Sequence, residues 1–141
     1  MPITQLNPYI HFNGNAADAI KHYELILGAK VERSMTYGDL PGNTPQPENK
    51  SRIMHCELTL GRGCTLMVSD APAEHQGTIG TNVEVSLAYD DEAELRAAFD
   101  GLAAEGRVVV PLHDAFWGGK FGMLVDRYEI QWMFTYGQPG K

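Results

Sequence analysis

FWGGKFGMLVDRYEIQWMFTY, from Phe116 to Tyr136, reads as a closing β-hairpin. Apolar and polar residues alternate over residues 120–125 and again over 129–135, on either side of the polar break Asp126-Arg127-Tyr128. Alternation with a period of two, interrupted by turn formers, is the pattern of paired strands. Phe116-Trp117-Gly118-Gly119 leads in, and the glycines there permit backbone conformations or close approaches that a side chain forbids.

Working outward, the preceding residues supply the rest of one unit: a strand over 83–89, a helix over 91–105, a strand over 107–112 and a loop over 113–119. The first half runs in the same order. Residues 7–12 form a strand with Tyr9 and His11 on one face and Ile10 and Phe12 on the other. Asn15 reads as a helix cap, and Ala16, Ala19, Ile20, Tyr23 and Leu27 recur at helical spacing until Gly28 ends the run. A strand follows over 29–37, then strands over 53–60 and 65–69 around the turn Gly61-Arg62-Gly63. Between them, residues 38–50 carry Pro41, Gly42, Pro45 and Pro47, so the expectation is an irregular excursion that is mobile or covers a cleft.

A shift of 75 lays Tyr9 on Glu84, Phe12 on Leu87 and Leu27 on Leu102, whereas a shift of 78 lays Gly28 on Gly106. The difference predicts a second helix about one turn longer than the first. The fold expected is α+β: two β-α-β-β-β modules, about 1–70 and 81–137, joined by a 71–80 connector in a single domain. Each module has one sheet face with no helix of its own, and the two curled mixed sheets are expected to pair around a cleft.

Composition narrows the function classes. The 141 residues are 43% hydrophobic and 21% charged, an ordinary globular balance. A formal charge of -7 supplies no concentrated basic face, so a nucleic-acid partner is excluded. No run is long enough to span a bilayer and no signal peptide is apparent, and the expected location is the cytoplasm. Cys56 and Cys64 read as buried free thiols. Neither Gly-x-Ser-x-Gly nor Cys-x-x-Cys occurs, and His75 and His113, placed in loops, have no partner at zinc-ligand spacing. His22, beside the apolar stripe of the first helix, is expected to face solvent.

The segments PYIHFNGNAADAIKHYELILGA (8–29), IMHCELTLG (53–61), TLMVSD (65–70) and FWGGKFGMLVDRYEIQWM (116–133) resemble the PhnB-like branch of the vicinal oxygen chelate superfamily. That superfamily includes glyoxalase I, bleomycin and fosfomycin resistance proteins and extradiol dioxygenases. Members of the branch often bear a demethylubiquinone methyltransferase-like label, but no strand here runs into a glycine-rich turn and helix suited to a nucleotide-like methyl donor. The resemblance implies a homodimer and a cleft that takes a small organic molecule. It also implies metal-ligand positions at Tyr9, Glu84, Met67 and Met133. Thioethers are poor donors for hard or borderline divalent ions, so Glu84 is the only ligand-type residue retained at those positions. No cofactor is therefore expected, unless His11 or His55 helps to rebuild a divalent-metal site.

Candidate residues follow from strand periodicity. His55 and Glu57 share a face, as do Glu84 and Ser86, and a histidine between carboxylates suits a general base or a hydrogen-bonded structural role. Tyr9, His11, Met67, Ser69, Gln131 and Met133 complete the polar and thioether candidates, while Trp117 is either a ligand wall or a packing residue. Ser69-Asp70 either orients a ligand or begins a turn. Two functions remain open: a binding protein without a metal, or a glyoxalase- or dioxygenase-like enzyme using a rebuilt metal site or a His/Glu acid-base pair.

Overall fold

The computed structural model describes residues 2–42 and 45–137. It divides into two compact units that meet between Thr78 and Ile79, within the 71–80 stretch. The first contains β1 (Tyr9–Phe12), α1 (Ala16–Leu27), β2 (Lys30–Thr36), β3 (Ile53–Leu60) and β4 (Cys64–Asp70). The second contains β5 (Val85–Tyr89), α2 (Glu92–Ala103), β6 (Arg107–Asp114), β7 (Lys120–Val125) and β8 (Gln131–Tyr136). Each is a four-stranded mixed sheet, in the orders β1-β4-β3-β2 and β5-β8-β7-β6, with a parallel pair at one edge. This is the α+β, β-α-β-β-β architecture expected from periodicity. Among the described residues no helix is long and apolar enough to cross a membrane.

In the first unit α1 packs on β3 and β4. Ala16, Ala19, Ile20 and Tyr23 meet a sheet face made of Phe12, Cys56, Leu58, Leu66 and Val68, all buried. In the second, Leu95, Ala98, Phe99 and Leu102 recur at helical spacing and are buried with Leu124, Trp132 and Phe134. Burying such side chains contributes roughly 1.5–3 kcal/mol each.

Several local expectations change. The two helices are equal, each of twelve residues. The extra residues of the second module lie outside α2, in the turn that follows Ala103. Asn15 makes no side-chain cap; the carboxylate of Asp70 accepts from the amides of Gly14 and Ala16 instead. Gly28 ends α1 in the left-handed conformation, where its missing Cβ removes the steric cost. The hairpin strand begins at Gln131 rather than Glu129, because Glu129 takes a positive φ of 70° in the turn. The 38–50 excursion carries short 3-10 turns, Tyr37–Asp39 and Pro47–Asn49. Its base is pinned by Gly38 donating to the Lys50 carbonyl and by buried Asn49 linking Glu74 and the Ala73 amide. Residues 43 and 44 of this stretch lie outside the described residues. Cys64 is exposed whereas Cys56 is buried, and both are free thiols. His22 is half-buried with its Nε2 buried, and His113 sits in β6 against the Phe121 ring rather than in a loop.

Tyr89 stacks on Phe134 at 6.0 Å between ring centroids. Burial, assisted by the Glu94 carboxylate, pushes its hydroxyl pKa up to about 12. A tyrosine in the unfolded chain ionises near pH ~10, so the unfolded state loses its proton first. This contribution to stability is complete below about pH 10 and disappears as pH rises through about 12. Denaturant midpoints measured across that window are expected to fall, and Tyr89→Phe is expected to flatten the fall.

Candidate functional site

The face of the first sheet opposite α1 gathers most of the chemistry. Period-two alternation sends Phe12, Cys56, Leu58 and Val68 toward the helix, so their neighbours Tyr9, His11, His55, Glu57, Met67 and Ser69 project the other way. Register then aligns them. Tyr9 on β1 lies opposite Met67 on β4, Met67 opposite Glu57 on β3, and Glu57 opposite Arg33 on β2. A second row contains His11 opposite Ser69 and His55 opposite Met35.

A continuous polar chain joins these rows. The Tyr9 hydroxyl reaches over β4 to His55 Nδ1 at 2.8 Å. His55 Nε2 lies 3.1 Å from Glu57 Oε2, and the other carboxylate oxygen is 3.6 Å from Arg33 Nε. An ionised carboxylate only accepts, so in the neutral imidazole Nε2 carries the proton and Nδ1 accepts the phenolic hydrogen. Alongside, the His11 ring stacks on Tyr9 at 4.5 Å, and His11 Nδ1 lies 2.8 Å from Ser69 Oγ. The side chains of His55 and Glu57 are 27% and 29% exposed, so these hydrogen bonds are partly shielded from competing water.

The remaining candidates belong to the second unit. Glu84 lies just before β5 and is half-buried, while Ser86 is an exposed β5 residue opposite Met133. Gln131 donates from Nε2 to the Gly80 carbonyl at 3.3 Å. Trp117 donates its indole N–H to the Tyr136 carbonyl at 3.3 Å and meets Phe116 and Phe121 edge-on. Gly119 is required there, because a Cβ would run into the Tyr136 carbonyl and lie 2.7 Å from the indole nitrogen. In the first unit, Asp70 is buried and accepts from Gly14, Ala16 and Ile53.

A metal would need free donor electrons at this face. Both ring nitrogens of His55 are committed to Tyr9 and Glu57, Met67 offers a thioether, and His11 Nδ1 is engaged with Ser69. Among the described residues no group of three His, Cys, Asp or Glu side chains converges to hold a metal ion. Arg33 and Met35 were not among the residues singled out by sequence. Their signal was the alternation of β2, which identifies their face but not the strand beside it.

Comparisons with known proteins agree with the architecture. A family model described as Glyoxalase/Bleomycin resistance protein/Dioxygenase superfamily matches residues 5–134. Protein YjdN of Escherichia coli (strain K12) is 27% identical over 139 residues, covering 92% of this chain and 93% of that protein. The crystal structure of protein PA1353 from Pseudomonas aeruginosa is 34% identical, with 96% and 99% of the two chains covered and a TM-score of 0.86. A PhnB protein from Bacillus cereus, described as a putative 3-demethylubiquinone-9 3-methyltransferase, is 24% identical over 95% and 100% of the chains, with a TM-score of 0.77; this likeness shows the fold. With its two β-α-β-β-β units and a family match over nearly its whole length, the chain belongs to the glyoxalase/bleomycin resistance protein/dioxygenase superfamily.

Proposed function

We propose that this protein binds a small, planar organic molecule on the helix-free face of its first sheet, without a required metal or other cofactor. The observation that carries this reading is the pre-paired row Tyr9–His55–Glu57 beside the stacked Tyr9–His11 rings. The rings and the Met67 and Met35 thioethers offer polarisable surface for an aromatic guest. His55 and Glu57 fix its orientation, and the hydrogen bond between them holds them in place before a guest arrives, which reduces the ordering cost of binding.

On this reading the protein acts in the cytoplasm as a homodimer and has no nucleic-acid partner, in keeping with its charge of -7. Light scattering is expected to return twice the chain mass, and a single chain mass removes the dimer. Binding is tested by amide chemical-shift mapping with a panel of planar aromatic amides and carboxylic acids, in buffer containing a chelator. Shifts are expected at residues 9–11, 55–57 and 67–69. Glu57→Ala is expected to weaken the best ligand by at least ~10-fold, the scale of a lost hydrogen bond to a charged group. Shifts confined to other surfaces overturn the assignment.

A further inference from the structure

We propose that Tyr9 is a covalent nucleophile, activated by His55 and Glu57, and that this face accepts acyl donors such as activated esters. The inference builds on the ligand face above and adds a reaction to it. Its basis is the order of the groups: carboxylate, imidazole and hydroxyl in line, with Glu57 Oε2 3.1 Å from Nε2 and the Tyr9 oxygen 2.8 Å from Nδ1 of the same ring. This is the connectivity by which an orienting carboxylate and a base activate a hydroxyl in acyl transfer.

Three features favour Tyr9 as the reacting atom. Glu57 fixes the tautomer, so the lone pair of Nδ1 faces the phenolic hydrogen. Tyr9 is also 38% exposed, on the edge strand β1, so solvent and small molecules reach the residue. Stacking on His11, itself tied to Ser69, holds the phenol ring in one orientation.

In the step, Tyr9 Oη attacks the ester carbonyl carbon and a new C–O bond forms. The phenolic proton passes to His55 Nδ1, and Glu57 stabilises the resulting imidazolium. The ester C–O bond then breaks, the alkoxide or phenoxide leaves and takes up the proton, and an acyl-tyrosine remains. Water attacking that ester with His55 again as base returns free Tyr9 and a carboxylic acid.

The test uses p-nitrophenyl acetate with the full chain, following p-nitrophenolate release by absorbance and the acetyl group by peptide mass spectrometry. Tyr9 is expected to be acetylated ahead of every other tyrosine. Tyr9→Phe is expected to abolish this modification. His55→Asn is expected to slow it by ~10²-fold or more, the lower end of general-base effects, and Glu57→Gln by roughly tenfold. Circular dichroism establishes that each variant is folded; should His55→Asn fail to fold, Glu57→Gln decides. Acetyl groups only on lysines, or Tyr9 acetylation at an unchanged rate in the His55 and Glu57 variants, overturns the proposal. Shift mapping with a non-reactive aromatic amide reads the binding face independently: intact binding without Tyr9 acetylation removes the nucleophile and leaves the face.

Discussion

Asp70→Ala is expected to destabilise the protein by about 3–5 kcal/mol, the scale of a buried network in which three amide donors lose their acceptor. Asp70 ends β4 at 2% exposure. Oδ1 accepts from the Gly14 amide at 2.9 Å and the Ala16 amide at 3.0 Å, and Oδ2 accepts from Ile53 at 2.9 Å. One carboxylate thus caps α1, closes the β1-to-α1 turn and fixes the start of β3. Alanine withdraws the acceptor from all three donors, and a buried donor without an acceptor costs about 1–3 kcal/mol. Asparagine keeps Oδ1 but points an NH₂ at the Ile53 amide, so Asp70→Asn is expected to cost less, about 2 kcal/mol. Guanidinium unfolding measures both. A loss below 1 kcal/mol for the alanine variant shows that water replaces the carboxylate.

Asp126→Ala is the second large effect, expected at about 3 kcal/mol. The carboxylate sits at the hairpin between β7 and β8 with 1% exposure. Oδ1 accepts from the amides of Tyr128 at 2.8 Å and Ile130 at 3.0 Å, while Oδ2 accepts from the indole of fully buried Trp132 at 2.9 Å. It therefore sets the turn that carries Glu129 at positive φ and satisfies the polar end of the largest core side chain. A double-mutant cycle isolates the second role. In a Trp132→Phe background no indole N–H competes for the carboxylate, so Asp126→Ala is expected to cost about 1 kcal/mol less than in the parent. Equal costs in the two backgrounds assign the whole effect to the turn.

These two aspartates show where reading the letters stops. Asp126 in Asp126-Arg127-Tyr128 marks a polar break, and Asp70 after Ser69 marks a strand end, as any turn former does. The burial of both, and the distant partners of Asp70 (Gly14, Ala16 and Ile53), are invisible until the strands are side by side. Asn15 illustrates the converse: its residue type predicts a cap, and the cap comes instead from Asp70, brought there by the parallel pairing of β1 with β4. The helix-length expectation failed for a local reason, because residues after Ala103 that continue a helical pattern belong to a turn.

The alternation that puts Tyr9 with His11 and His55 with Glu57, the helical stripes of α1 and α2 and the β-α-β-β-β order were legible in the letters. All of these are periodic or punctuated within a few residues, where backbone geometry alone assigns a face. Only the tertiary structure decided that Tyr9 meets His55 across β4, that Arg33 lies opposite Glu57, and that Asp70 and Asp126 are buried organisers. The Tyr9–His55 and Asp70 contacts join residues from non-consecutive strands and loops, Arg33–Glu57 pairs two consecutive strands, and the Asp126 contacts close within its own hairpin. Strand order and register determine them, and these are set by the global burial of apolar faces rather than by any local run of letters.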